Sequence, residues 1–366
     1  MKDDSKPGIL MSRGYRNRDY IETVEGLLFT VVGDIHPPDR VLAYLKYIPD
    51  SEGKWGTGKR RYDRALRYYS TLHLKETLNY LEQKYPQYLY NSKVQRITIS
   101  AVPLDSIRKH FCPEIRLSDM IATDCLDKVE KKAVELSQLI SRYSGVGINA
   151  FGVTGSVLVG IHNPKFSDID LTVYGKENSL NVKATLTTME TESGKIRRFN
   201  EREINQWLES SSTLYPLERY EVEIIYRRHW NRGMFNGIAF SIHAGRVETE
   251  VEEKYGDRLY SPEGIVEAWA VIESADDSMF MPGEYRVNSV GITKGHRVPD
   301  VREIVTYEGF YCDIASSGEK VKIRGKLERI KNKRTDEVYH RILIGSLEAK
   351  GSDYLKPDLK RGPQHF

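Results

Sequence analysis

Two aspartates, Asp168 and Asp170, stand two positions apart in a short run that alternates polar and apolar residues. On a β-strand this spacing puts both carboxylates on one face, while Ile169 and Leu171 face the core. Two carboxylates held this close repel each other unless a cation lies between them. Mg²⁺ suits such a pair because it accepts one or two protein carboxylates and takes its remaining ligands from water and phosphate. The spacing therefore predicts a site for Mg²⁺ or Mn²⁺.

Gly155 and Ser156 precede the acids by about a dozen residues and form the second half of the candidate site. Gly155 allows a chain turn and a close approach of the backbone to a phosphate, and Ser156 supplies a hydroxyl donor. The helical turn that we expect over 157–160 would present free backbone N–H groups beside them. A phosphate cradle opposite a carboxylate-bound cation is the minimum apparatus for displacement at a nucleotide phosphorus.

The run Gly155-Ser-Val-Leu-Val-Gly160, followed by Ser167-Asp-Ile-Asp-Leu171, resembles the signature of the DNA polymerase β-type nucleotidyltransferase superfamily. The full chain is also similar to uncharacterised, mainly archaeal proteins that are predicted to be nucleotidyltransferases. The resemblance implies that Asp168 and Asp170 bind the metal ions. It also implies that Gly155 and Ser156 hold the β- and γ-phosphates of a nucleoside triphosphate. Attack by an acceptor hydroxyl would then expel pyrophosphate.

The chain departs from the family at the third carboxylate, which the family places on the next strand to bind one metal and help deprotonate the nucleophile. The candidate strand over 238–243 has Ser241 and His243 where an acid is expected. Glu221 and Glu223 alternate in a run that fits either a strand or a helix. Either Glu223 supplies the third carboxylate or none does, and its loss would weaken one metal site.

The elements that must position these residues follow from the hydrophobic pattern. Strands are expected over 148–153 and 167–174, and helices over 61–84, over 201–209 and over 126–143, the last ending before Gly145. We expect the fold class to be α+β, and the resemblance implies a nucleotidyltransferase core of mixed sheet and helices over 121–250. An α+β domain over 1–120 precedes this core, and a β-rich domain over 251–366 follows it. Short strands with turns between them indicate a small barrel or sandwich for the last domain, and we expect the barrel, for which an OB-like form is one option.

Four basic residues alternate with apolar or small residues in the last domain: Lys320, Lys322, Arg324 and Lys326. On a strand they would form a surface row able to follow a nucleic-acid backbone. A solvated face whose lysines protect a sheet edge explains the row equally well. The row makes an RNA end the preferred acceptor, and a protein acceptor, as in antitoxin-type members, is the alternative. The third hypothesis is a nucleotide- or nucleic-acid-binding module that has lost catalysis.

Composition limits the class of protein. The 366 residues include 55 Lys and Arg against 52 Asp and Glu, so the net charge of +3 excludes a uniformly basic coat protein. The three cysteines show no paired short spacing, which supports neither a disulfide framework nor a cysteine-rich zinc site. No apolar run approaches the roughly 18 residues of a membrane-spanning helix. We therefore expect a cytoplasmic protein that binds nucleoside triphosphate, has RNA as a candidate partner and does not contact membranes.

Overall fold

The computed structural model describes residues 13–65, 71–188 and 195–358, without the side chains of 71–73. These residues form three β-sheets and seven α-helices. The chain is therefore an α+β protein, as its sequence predicts. None of the helices in the described ranges is both long enough and apolar enough to cross a membrane.

An eight-stranded sheet occupies the first part of the chain and is called the first sheet below. Its strands are β1 (Tyr20–Thr23), β2 (Leu28–Val31), β3 (Arg40–Pro49), β4 (Trp55–Thr57), β5 (Arg60–Arg64), β6 (Leu89–Ser92), β7 (Ile97–Pro103) and β8 (Ile107–Phe111). Strand β3 is its centre, because it pairs antiparallel with β2, β5 and β7. Helix α1 (Thr71–Lys84) lies between β5 and β6 in the chain.

The helix expected over 61–84 begins later than predicted. Its first residues belong to β5, where Tyr62 is buried between exposed neighbours and pairs with Pro49 and Trp55. This alternation has the period of a strand rather than of a helix. Helix α1 starts at Thr71, and residues 66–70 lie outside the described part of the chain.

The acid pair belongs to a five-stranded middle sheet with the order β11-β12-β13-β10-β9. Its strands are β9 (Phe151–Val153), β10 (Ile169–Tyr174), β11 (Ile196–Arg197), β12 (Arg232–Phe235) and β13 (Ile238–Gly245). The sheet is mixed, since β10 runs parallel to β13 and antiparallel to β9. The helices around it are α2 (Pro113–Ile121), α3 (Lys128–Ser144), α4 (Gly155–Leu158), α5 (Lys176–Thr188), α6 (Glu201–Leu214) and α7 (Arg219–Arg228).

Helix α3 confirms the expected amphipathic helix. Asp127 caps its N-terminus by accepting hydrogen bonds from the backbone N–H groups of Val129 and Glu130. Gly145 ends it in the left-handed conformation, with φ of 71°. The buried stripe of α3 packs against the apolar side chains of β10: Val129, Ala133, Leu136, Ile140, Ile169, Leu171 and Val173. The helix therefore supports the strand that carries the acids.

Other expected elements of the middle sheet differ from the structure mainly at their ends. The strand expected over 148–153 is shorter, because Ala150 N donates to Gly147 O and closes a 3₁₀ turn before β9 begins. The strand expected over 167–174 is β10, and the helix expected over 201–209 is α6, which continues to Leu214.

The last sheet has six strands: β14 (Arg258–Asp277), β15 (Gly283–Lys294), β16 (Val301–Thr306), β17 (Lys320–Asn332), β18 (Val338–Ile344) and β19 (Tyr354–Pro357). Strand β14 pairs with β15 and also with β17, while β16 and β18 run parallel. Residues Leu208 of α6 and Val222 and Ile225 of α7 join its hydrophobic core. The helices that lead into β12 thus pack against the last sheet.

Candidate functional site

A cavity of about 1600 Å³ opens between the three sheets. Its walls include Lys46 from the first sheet, Asp170 from the middle sheet and Lys326 from the last sheet. All four residues that the sequence singles out for nucleotide chemistry line it: Gly155, Ser156, Asp168 and Asp170. The fold therefore brings the two halves of the sequence-predicted site into one space.

The acid pair stands where β10 begins. Asp168 precedes the strand and is exposed, and Asp170 is the second residue of the strand, with 27% of its side chain exposed. The negative charge of Asp170, and then the reduced hydration in the cavity, raise the pKa of Asp168 to about 6. Carboxylates that repel each other in this way are a suitable donor set for a divalent cation.

Gly155 lets the backbone reach Asp170. Its φ is +68°, and a Cβ placed on it would lie 2.5 Å from Asp170 Oδ2. Just before it, the N–H of Thr154 donates to the carbonyl oxygen of Asp170 at 2.8 Å. Because the conformation is left-handed and no Cβ fits, this position requires glycine.

Ser156 follows in the same turn and is 7% exposed. Its hydroxyl donates weakly to Ser167 Oγ at 3.5 Å, and Ser167 Oγ accepts from the Asn163 N–H at 2.8 Å. The N–H of Ile161 donates to Ser156 O at 3.0 Å. These contacts fold the loop over 161–167 back onto the turn, so the same loop fixes the start of β10.

Ser241 and His243 lie on the strand next to β10, where the nucleotidyltransferases that the motif resembles have an acid. Ser241 lies opposite Asp170 in the parallel pair β10–β13, and its hydroxyl donates to Asp170 Oδ1 at 2.5 Å. His243 Nε2 lies 2.9 Å from Ser241 Oγ and 4.0 Å from Asp170 Oδ1. Burial, followed by the charges of nearby arginines, lowers the pKa of His243 well below its usual range. The imidazole is therefore neutral at pH 7.

The structure does not bring Glu223, one of the two alternatives for the third carboxylate, to the acid pair. Glu223 lies on α7, where it pairs with Arg227 at 2.6 Å, one helical turn away, and it is absent from the cavity wall. The apolar residues Val222 and Ile225 of the same run are buried at helical spacing, which explains why the run is a helix.

Two other groups of three His, Cys or carboxylate side chains come close together within the described ranges. One is Asp19, His110 and Cys112, and the other is Asp127, Glu130 and His162. In the first, Arg13 already pairs with Asp19 at 2.7 Å. In the second, Asp127 and Glu130 form the capping box of α3. Each group thus has a structural role, and neither includes the acid pair.

Lys46 on β3 is the functional candidate that sequence reasoning missed. It is 7% exposed, and burial lowers its pKa well below the usual range, while the charges of Asp170 and Asp168 oppose that shift. Arg64 lines the same wall and lies over the Trp55 ring at 4.6 Å. The signal in the sequence was a single lysine within the otherwise apolar run over 41–48.

The basic row on β17 is not continuous on the surface. Lys320 and Lys322 are exposed and lie 3.9 and 2.8 Å from Asp358, and Arg324 pairs with Glu267 at 2.9 Å. Lys326 is only 2% exposed and pairs with Glu328 at 2.9 Å and with Glu348 at 3.3 Å. The prediction that Lys326 extends a surface row is therefore wrong, because neighbouring acids hold it in the cavity wall.

Comparison with known proteins finds one distant likeness. The uncharacterized protein MJ1086 of Methanocaldococcus jannaschii is 28% identical to this chain over 347 residues, which cover 93% of this chain and 98% of the relative. The likeness therefore extends through all three sheets. No family model matches the chain, and no solved structure matches it.

Proposed function

We propose that this protein is a nucleotidyltransferase that moves a nucleoside monophosphate from a nucleoside triphosphate to an acceptor hydroxyl. The observation that supports this most strongly is the contact between the Gly155 turn and Asp170. It joins a glycine turn to a carboxylate pair within one large cavity. Displacement at phosphorus needs little beyond positioning and charge stabilisation, which such an arrangement can supply.

The acids fit a divalent cation. Asp168 and Asp170 would hold Mg²⁺ or Mn²⁺, because their repulsion raises the pKa of Asp168 to about 6 and a cation would relieve it. Gly155 lines the same cavity as both acids, so the turn and the carboxylates face one space. When bound, the metal would supply positive charge against the phosphate oxygens.

The chain's own residues would bind and orient the triphosphate. Ser156 offers its hydroxyl and the Gly155 turn its backbone, while Arg64 of the first sheet brings positive charge to the wall that contains the acids. Lys46 brings an amino group to the same wall, and a bound phosphate would favour its protonated form. Phosphate groups attract such cations strongly where the surroundings reduce hydration.

For the acceptor we propose an RNA end. The pairing order β14-β15-β16-β18-β17, with β17 also paired to β14, supports an OB-like barrel for the last domain. Lys326 and Arg341 of this domain line the cavity that holds the acids. A protein hydroxyl is the alternative acceptor, and the assay below separates the two.

A second candidate function is a nucleotide- or nucleic-acid-binding module without catalysis. Ser241 favours it, because a hydroxyl stands at the strand position where the family has its third acid. The Ser241 hydroxyl is neutral and donates to Asp170. It therefore does not supply the negative charge that a third carboxylate would bring to a metal ion.

The test uses the full chain, each nucleoside triphosphate labelled at the α-phosphate, and Mg²⁺ or Mn²⁺. Pools of RNA, protein and small molecules serve as acceptors. We expect a labelled product that Asp168→Asn abolishes and that the control Asp336→Asn, an exposed acid remote from the cavity, leaves unchanged. Absence of label in every pool, together with metal-independent nucleotide binding by calorimetry, would instead favour the binding module.

A further inference from the structure

Arg232, the first residue of β12, is a partly buried cation that no charged side chain of the described residues contacts. Its side chain makes no hydrogen bond or ion pair with the described residues, and its Nε is buried with no partner. Burial lowers its pKa below the usual range. A cation that loses part of its hydration without gaining a charged partner is destabilised, so such groups normally pair with another charge or a ligand.

Other arginines close to this position are satisfied. Arg198 donates to the carbonyl oxygen of Tyr226 at 2.9 Å, and Arg228 donates to Glu319 at 2.8 Å and to Ile314 O at 2.8 Å. Arg232 instead has the Trp207 ring at 5.4 Å, a cation–π contact that offsets part of the burial. Its guanidinium therefore differs from its neighbours in lacking an acceptor.

The sheet places Arg232 in line with the acid pair. Arg232 lies opposite Ser241 in the β12–β13 pair, and Ser241 lies opposite Asp170 in the β13–β10 pair. Residues directly opposite each other share a face, so the three side chains form one row across the sheet. With strands about 4.8 Å apart, the backbone of Arg232 is roughly 10 Å from that of Asp170. All three residues line the cavity.

The proposed phosphate cradle and the side chains of Ser241 and Arg232 lie on opposite sides of β10. The Gly155 turn follows β9 on one side of β10, whereas Ser241 and Arg232 stand on the other side. In displacement at phosphorus the attacking and leaving oxygens are roughly in line. If pyrophosphate leaves at the Gly155 side, the acceptor approaches from the side of Arg232.

We propose that Arg232 binds a phosphate group of the acceptor, next to the hydroxyl that attacks, so that this site prefers phosphate-bearing acceptors. The assignment of this phosphate to the acceptor rests on the proposed function, whereas the phosphate site itself does not. A guanidinium is suited to this task because its planar N–H groups match phosphate oxygens in pairs. The phosphate could be the last phosphodiester of an RNA or the monoester of a small molecule.

The first measurement is the thermal unfolding of the ligand-free full chain. Arg232→Met should leave Tm unchanged or raise it, because it removes a partly buried charge that pairs with none of the described acids. The control Arg228→Met should lower Tm, since it breaks the ion pair with Glu319. If Arg232 is only a packing residue on Trp207, Arg232→Met will lower Tm as Arg228→Met does.

The second measurement is calorimetric binding of four probes: the dinucleotide ApA, glycerol 3-phosphate, inorganic phosphate and adenosine. At least one phosphate-bearing probe should bind Arg232→Met about 10- to 100-fold more weakly than it binds the wild type, as expected for a charged hydrogen bond. Adenosine should bind both proteins alike. Dependence of ApA alone indicates an RNA end, and dependence of glycerol 3-phosphate alone indicates a small acceptor.

The results also separate this inference from the proposed function. Equal behaviour of wild type and Arg232→Met towards all four probes, including no binding by either, overturns the phosphate site, as does a loss of Tm equal to that of Arg228→Met. Probe binding that depends on Arg232 in a protein without transfer activity upholds the site and refutes the nucleotidyltransferase. Transfer activity in a protein whose probe binding does not depend on Arg232 refutes the phosphate site and supports the nucleotidyltransferase.

Discussion

Gly155→Ala tests the contact on which the proposed site depends. The substitution puts a Cβ 2.5 Å from Asp170 Oδ2, too close for any real contact, in a residue whose φ is +68°. Placing an L-residue in the left-handed region costs about 1–2 kcal/mol. Asp170 must also move, which strains its hydrogen bond from Ser241, and loss of a hydrogen bond to a charged group costs about 1.5–3 kcal/mol. The expected destabilisation is therefore about 2.5–5 kcal/mol, the sum of these two costs.

Gly160 provides the matched control in the same motif. Its φ of +67° is almost the same, but a Cβ there would meet nothing within 4 Å. Gly160→Ala should therefore cost only the conformational part, about 1–2 kcal/mol. The free energy of unfolding is measured by urea denaturation followed by tryptophan fluorescence, and the difference between the two variants isolates the clash with Asp170.

A double-mutant cycle measures the coupling between Gly155 and Asp170. In an Asp170→Ala background the carboxylate is gone, so Gly155→Ala should cost no more than Gly160→Ala does. Equal destabilisation by Gly155→Ala and Gly160→Ala in the otherwise wild-type chain would refute the contact. A Gly155→Ala cost that persists unchanged in the Asp170→Ala background would do so as well.

Three further predictions concern charge and capping. The folded-state pKa of Asp168 is about 6 against an ordinary 3.8, so the free energy of unfolding falls as pH rises from about 4 to about 6. Urea titrations should show this loss of stability in the wild type and a smaller loss when Mg²⁺ is present. In Asp168→Asn this residue should contribute no such loss. Lys326→Met removes one of the two cations that pair with the buried Glu328, the other being Arg341, and should cost about 1.5–3 kcal/mol. The exposed Lys322→Met should cost under about 0.5 kcal/mol by the same titration. Asp127→Ala removes the cap of α3 and should cost about 1 kcal/mol, visible as a lower urea midpoint.

Local pattern was enough to predict the elements that carry the acids. The apolar stripe and Gly145 define α3, and the alternation over 167–174 defines β10. Both depend on periodicities within one segment, which a single sequence displays directly. The early β5 strand was missed because its one buried residue, Tyr62, gives a short signal next to a longer helical pattern.

The residues that surround the acids could not be predicted in the same way. Lys46 reaches them from β3, more than a hundred positions earlier in the chain, and Arg232 joins their row only through the registers of two strand pairs. The alternation at Lys326 was interpreted correctly as a strand, but Glu328 and Glu348 decide that this lysine is buried. Each of these outcomes depends on contacts between distant segments, which hydrophobic periodicity does not encode.

The origin of the charges shows how the parts of the chain depend on each other. The middle sheet supplies Asp168 and Asp170, whereas Lys46 and Arg64 come from the first sheet. Helices α6 and α7, which lead into the strand of Arg232, have buried residues in the core of the last sheet. A division of the chain near residue 120 therefore separates the acids from the first-sheet cations that line the same cavity. A division near residue 250 separates Arg232 from the packing that supports its strand. Because carboxylates and cations from different sheets must face each other to receive a phosphate, the candidate site belongs to the assembled chain rather than to the middle sheet alone.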